Sequence, residues 1–213
     1  MKLQHLFSKP DYVKRFWKWF LAHEQALYHF EDHDQAVLFK KLHQRLQKIH
    51  PSLSFEFSAP LKTKKREFVI SADGNPKAFG AVLQVTQAAP ILPRWVVIAF
   101  RQPRAGFVSV DFGPVRLPFK DIYFNYAEER TVQKLNLHMK IRHYDGTDVM
   151  DSALQIVLDT LIGEFDTQTY LEVIKRQALH EHELPHLYPI TALPLVVNEF
   201  KNRQGIIETW KLN

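Results

Sequence analysis

The chain has 213 residues, of which 46% are hydrophobic, 24% charged and 13% aromatic, with 28 Lys and Arg against 23 Asp and Glu for a net charge of +5. Sixteen Phe, seven Tyr and four Trp exclude an intrinsically disordered chain. The absence of cysteine excludes disulfides, thiol nucleophiles, iron–sulfur clusters and Cys-based zinc sites.

Residues 11–31 are expected to form a helix, because Val13, Phe16, Trp17, Phe20, Leu21, Leu27 and Tyr28 recur at three- and four-residue steps. Ser8 or Asp11 would cap it and Pro10 suits its first turn. A second helix over 34–49 carries Val37, Leu38, Leu42, Leu46 and Ile49, with Asp32 or Asp34 as its cap, and ends at His50-Pro51. The period then changes. Leu53, Phe55 and Phe57 alternate with polar residues, and Arg66 to Ala72 reads as a second strand stopped by Asp73-Gly74-Asn75-Pro76. A short helix over 77–89, with Phe79, Val82 and Leu83 inward, leads to Trp95–Phe100, which is apolar on both faces as a central covered strand would be.

Shorter strands are expected at 107–112 and 121–126. Thr131 to Ile141 alternates Leu135, Leu137, Met139 and Ile141 against polar residues. A third strong helix over 148–162 carries Val149, Ala153, Ile156, Val157 and Leu161 behind an Asp148 cap, and Thr169–Ile174 is read as the last strand. A Pro- and His-rich stretch then leads into an amphipathic segment at Leu195–Phe200. The reading is a single α+β domain: a helical hairpin (1–50), a mostly antiparallel sheet with helices packed on one face (51–176) and a C-terminal extension with a short helix (177–213).

The densest apolar run, Ala88 to Phe100, is cut by Pro90, Pro93 and Arg94, so no transmembrane helix is expected. The first twenty residues lack the apolar core of a secretory signal. A cytoplasmic protein, with no membrane attachment, is therefore expected.

Several blocks carry a resemblance: Phe16-Trp17-x-Trp19-Phe20 with His23-Glu24, His50-Pro51-x-Leu53-x-Phe55-Glu56-Phe57, Arg66-Glu67-Phe68-Val69-Ile70-Ser71-Ala72-Asp73-Gly74, Trp95 to Arg101, and Gly163-Glu164-x-Asp166. Together they resemble a family of uncharacterised bacterial proteins, a domain of unknown function with no assigned activity. The resemblance implies a bacterial, cytoplasmic, single-domain protein, and no functional residue carries over from it.

No phosphate-binding loop, dinucleotide fingerprint, nucleophile elbow or HExxH helix is present, and no cofactor or metal is expected. Glu24, Glu56, Glu67 and Asp73 with Arg94 and Arg101 are the candidates for an acid–base or anion-binding cleft, if they converge. The simpler reading places them as outward charges and strand ends. Lys62, Lys64, Lys65 and Arg66 form the only dense basic cluster, a candidate nucleic-acid contact or a solvated hairpin. His29 with His33, and His180, His182 and His186, have partial metal-ligand spacing, more suited to adventitious binding. Trp19 falls opposite the apolar stripe, where an exposed Trp would mark a protein interface, and Tyr123, Phe124 and Tyr126 are the aromatics available for base stacking. The leading expectation is a non-catalytic binding or regulatory protein engaging a protein partner or a second copy of itself. The alternatives are a hydrolase or transferase acting on an anionic small molecule, and an RNA- or DNA-binding protein.

Overall fold

A computed structural model describes residues 11–32 and 34–206. Ser8, Pro10 and His33 therefore lie outside the described residues. The fold is α+β, and the chain divides into two compact units, Met1–Ala99 and Phe100–Asn213.

In the first unit, α1 (Tyr12–Ala22) begins at Asp11, whose carboxylate accepts from the Lys14 amide at 2.9 Å. The single helix expected over 11–31 is broken at His23, and α2 (Glu24–Tyr28) follows as a separate short helix before a 3₁₀ turn at Phe30–Asp32. The His23 ring Nδ1 lies 2.9 Å from the Trp19 carbonyl oxygen, a local contact that competes with helix continuation. Next comes α3 (Gln35–Gln47), capped by Asp34, which buries Leu38, Leu42 and Leu46 and leaves Val37 exposed. The sheet is β1 (Ser54–Phe57), β2 (Arg66–Ser71) and β3 (Trp95–Ala99) in the order β1-β2-β3. Strands β1 and β2 are antiparallel, with Phe57 opposite Phe68. Strands β2 and β3 are parallel, joined by a crossover containing α4 (Phe79–Gln87). The central strand is thus β2, which has five of its six residues buried. The expected central strand, β3, lies at an edge and leaves Val96 exposed. The core is aromatic: Phe20 stacks on Phe68 at 5.0 Å, Phe16 and Trp17 pack edge-on, and Trp17 Nε1 donates to the Val85 carbonyl at 2.9 Å.

The second unit opens with a hairpin, β4 (Ser109–Phe112) and β5 (Val115–Pro118). A four-stranded sheet follows, built from β6 (Ile122–Glu129), β7 (Lys134–Ile141), β8 (Leu171–Ala178) and the two-residue β9 (Tyr188–Pro189), in the order β8-β7-β6-β9. Only the β7–β8 pairing is parallel. The alternation read in β7 is fully realised: Leu135, Leu137, Met139 and Ile141 are all buried. Against them pack α5 (Asp148–Ile162) and α7 (Leu193–Arg203), through Ala153, Leu154, Val157, Leu158, Val197 and Phe200. The buried stripe of α5 runs through Met150, Leu154, Leu158 and Ile162, so Val149 turns out to solvent. Its cap is Thr147, one residue before the expected Asp148. Glu164–Tyr170 forms α6, where a strand had been expected to begin at Thr169. Among the described residues, no helix is long and apolar enough to cross a membrane.

Candidate functional site

Two of the six carboxylate–arginine candidates meet in the first unit. Arg94 faces Glu24 with two nitrogens, Nε to Oε1 at 3.1 Å and Nη2 to Oε2, and its Nη2 also donates to Gln25 Oε1 at 2.7 Å. Trp95 Nε1 donates to the same Glu24 Oε1 at 2.7 Å. The break at His23 places Glu24 at the start of α2, from which it reaches the beginning of β3. Burial pushes the Glu24 carboxyl up, but the hydrogen bonds from Arg94 and Trp95 and the Arg94 charge outweigh it and hold the group below its ordinary value. A second pair lies alongside. Arg66 Nη2 reaches both oxygens of Glu31 at 2.6 and 2.8 Å, and Nη1 donates to the Ser58 carbonyl at 2.8 Å. Hydrogen bonding from Arg66 holds Glu31 low. Tyr28 links the pairs: its ring centroid is 4.4 Å from the Arg94 guanidinium and 5.3 Å from that of Arg66, and its hydroxyl donates to the Lys64 carbonyl at 2.7 Å.

The other candidates take different places. Glu56 lies in β1 opposite Val69, and Glu67 in β2 opposite Val96. Asp73 is exposed in a left-handed turn with φ 54°. Arg101 belongs to the second unit. Of the basic cluster, Lys62, Lys64 and Lys65 are exposed, whereas Arg66 is buried against Glu31. Trp19 is buried rather than exposed: its ring stacks on His23 at 4.5 Å and the Arg45 guanidinium lies 4.7 Å away. The interface argument drawn from it therefore falls. Strand alternation sets Tyr123 on the opposite face of β6 from Phe124 and Tyr126, and Phe124 is buried, so the three do not form one stacking platform. The His180 and His182 rings stack at 5.8 Å in a 3₁₀ turn. Among the described residues, no group of three His, Asp or Glu side chains is placed to hold a metal ion.

Two features of the second unit were not anticipated. At the junction of α5 and α6, Asp159, Glu164, Asp166 and Thr167 are all buried. Gly163 makes the turn at φ 85°, ψ 156°, where a Cβ would lie 2.9 Å from Pro103 Cδ and 3.1 Å from the Arg101 carbonyl oxygen. Arg101 and Glu164 are tied reciprocally: the Glu164 amide donates to the Arg101 carbonyl at 2.9 Å, and the Arg101 amide to Glu164 Oε2 at 3.1 Å. Lys201 of α7 reaches Asp166 Oδ2 at 2.9 Å. Burial, aided by the Glu164 charge, pushes the Asp159 carboxyl up to about 6 against the opposing pull of Gln155, Arg101 and Thr167. The clue in the sequence is a carboxylate one position after Leu158, at the edge of an apolar helical stripe.

The other feature is an open groove of about 630 Å³ between the β4–β5 hairpin and the segments around β6 and β9. Phe107, Val108, Phe119, Tyr123 and Pro189 supply apolar and aromatic wall, and Arg116 and Lys120 supply two cations. Phe107 is 51% and Val108 76% exposed. They precede β4 instead of belonging to it, as the expected strand at 107–112 had implied.

Comparison with protein-family models, curated proteins and solved structures gave no match, which is consistent with a chain from an uncharacterised family.

Proposed function

We propose that this is a non-catalytic binding protein that engages a protein partner through the groove of its second unit, in the bacterial cytoplasm that its sequence blocks imply. The carrying observation is the exposure of Phe107 and Val108 on a concave, mostly apolar wall. Large apolar side chains grouped at a groove, unlike single exposed ones, mark interaction surfaces. The arginines and carboxylates of the first unit support the same reading. Arg94 and Arg66 already bind Glu24 and Glu31, so their charge is spent on holding α2 and the following turn to the sheet.

The test is affinity capture from lysate of the source cells with three baits: the wild-type chain, a Phe107→Ser/Val108→Ser variant, and a Val149→Ser control on an exposed helix face. The proposal expects a partner held by the wild type and the control and lost by the groove variant. Equal recovery on all three baits refutes it.

A further inference from the structure

We infer that the groove takes an acidic, apolar segment of a protein partner, with apolar side chains seated against Phe107, Val108 and Phe119 and carboxylates directed to Arg116 and Lys120. This rests on the reading of the groove as a binding surface and adds the chemistry of its occupant. The argument is charge complementarity. The groove wall contains two cations and no carboxylate. Asp111 approaches Arg116 at 3.6 Å, but the two side chains are 67% and 73% exposed, so the pair is weak and readily exchanged for a carboxylate of the occupant. The nearby Asp121 is directed to Arg142, also at 3.6 Å. Lys120 is exposed at the wall.

Size and backbone chemistry narrow the occupant further. A volume of about 630 Å³ falls within the range of roughly 300–1,000 Å³ typical of ligand clefts and gives room for a few side chains of a partner. One sheet edge beside the groove is β9, whose wall residue Pro189 has no amide hydrogen to offer an added strand, as is also true of Pro118 in β5. The side chains of the wall carry the recognition, apolar contacts giving affinity and the two cations setting sign and encounter rate.

The probe is a short synthetic peptide alternating leucine with aspartate, compared with a lysine-for-aspartate and a serine-for-leucine counterpart. Each is titrated calorimetrically into the full chain at low and high salt. The inference expects only the leucine–aspartate peptide to bind, more weakly as salt rises. Arg116→Glu/Lys120→Glu should weaken that binding by roughly tenfold or more, and Val108→Ser should weaken it too. Circular dichroism and melting temperature check that each variant is folded. If no peptide binds, if the lysine counterpart binds equally, or if the charge reversal changes nothing, the inference is overturned. In that case the groove reading stands as long as Phe107→Ser/Val108→Ser still loses the captured partner, and falls with the inference if it does not. Self-association in sedimentation experiments that Val108→Ser abolishes would also overturn it, assigning the groove to a second copy of the chain.

Discussion

Each unit holds a carboxyl displaced from its ordinary titration, Glu24 in the first and Asp159 in the second, and the two displacements have opposite sign. In the first, two arginines each meet a carboxylate, Arg94 with Glu24 and Arg66 with Glu31, and both carboxyls are held low. In the second, Asp159, Glu164 and Asp166 are buried around one helix junction, and Asp159 is pushed up to about 6. Pairing one acid with one base favours the ionised state. Burial away from water, with a second carboxylate nearby, favours the proton on Asp159. Glu24 and Asp159 therefore respond to pH with opposite sign.

The largest expected effect breaks the junction that groups the acids. Gly163→Ala must place a Cβ at φ 85° against Pro103 and the Arg101 carbonyl, and should cost about 2–4 kcal/mol in urea denaturation.

Breaking a pair in the first unit comes next. Glu24→Ala leaves the Arg94 guanidinium with Gln25 but without its counter-charge and the Trp95 indole N–H without Glu24, and should cost about 1–3 kcal/mol. Replacing both partners, Glu24→Leu with Arg94→Met, should recover only part of that loss, because it removes the unpaired guanidinium charge but still leaves the Trp95 indole N–H without Glu24.

The pH contrast sharpens the comparison directly. The Glu24 carboxyl sits below its ordinary 4.5, so its contribution is present above pH 4.5 and is lost as pH falls through the folded value. Asp159 is raised from 3.8 to about 6, so its contribution is present below 3.8 and is lost as pH rises through about 6. Asp159→Asn should stabilise the protein at pH 8 by on the order of 2 kcal/mol, while giving no gain at pH 3. Chemical denaturation across that range, with hydrogen exchange of α2 and α5 amides read separately, checks both signs. The smallest effect belongs to the groove: Phe107→Ser should change stability by less than about 0.5 kcal/mol, since that side chain is half exposed already.

Much of the fold was legible because short-range patterns report burial faithfully. Leu38, Leu42 and Leu46 mark the inner face of α3, and the alternation of Leu135 to Ile141 marks that of β7. What escaped depended on contacts distant in sequence. Arg66 belongs to a run of four cations, and nothing in the run says that it alone turns inward to a carboxylate 35 residues earlier. Trp19 lies off the stripe of α1 but is covered by His23 and by Arg45 of α3. The apolar run of β3 suggested a covered central strand, yet the parallel crossover leaves it at the edge. The candidate site was less legible still. Glu24 and Arg94 were named, but their pairing follows from a helix break that apolar periodicity does not show. The groove arises because Phe107 and Val108 stop short of the hairpin ladder.

The place of β7 in its sheet sets an order of assembly. On one side it pairs with β6, its neighbour along the chain, and on the other with β8, reached only after α5 and α6. Closing the short hairpin loop costs less chain entropy than closing the long parallel connection, so β6 and β7 are expected to zip together before β8 docks. Truncations at Met139 should accordingly slow folding, whereas truncations at Ile174 should mainly hasten unfolding. The parallel edge of this sheet is the part that a nascent chain completes only once both helices have been made.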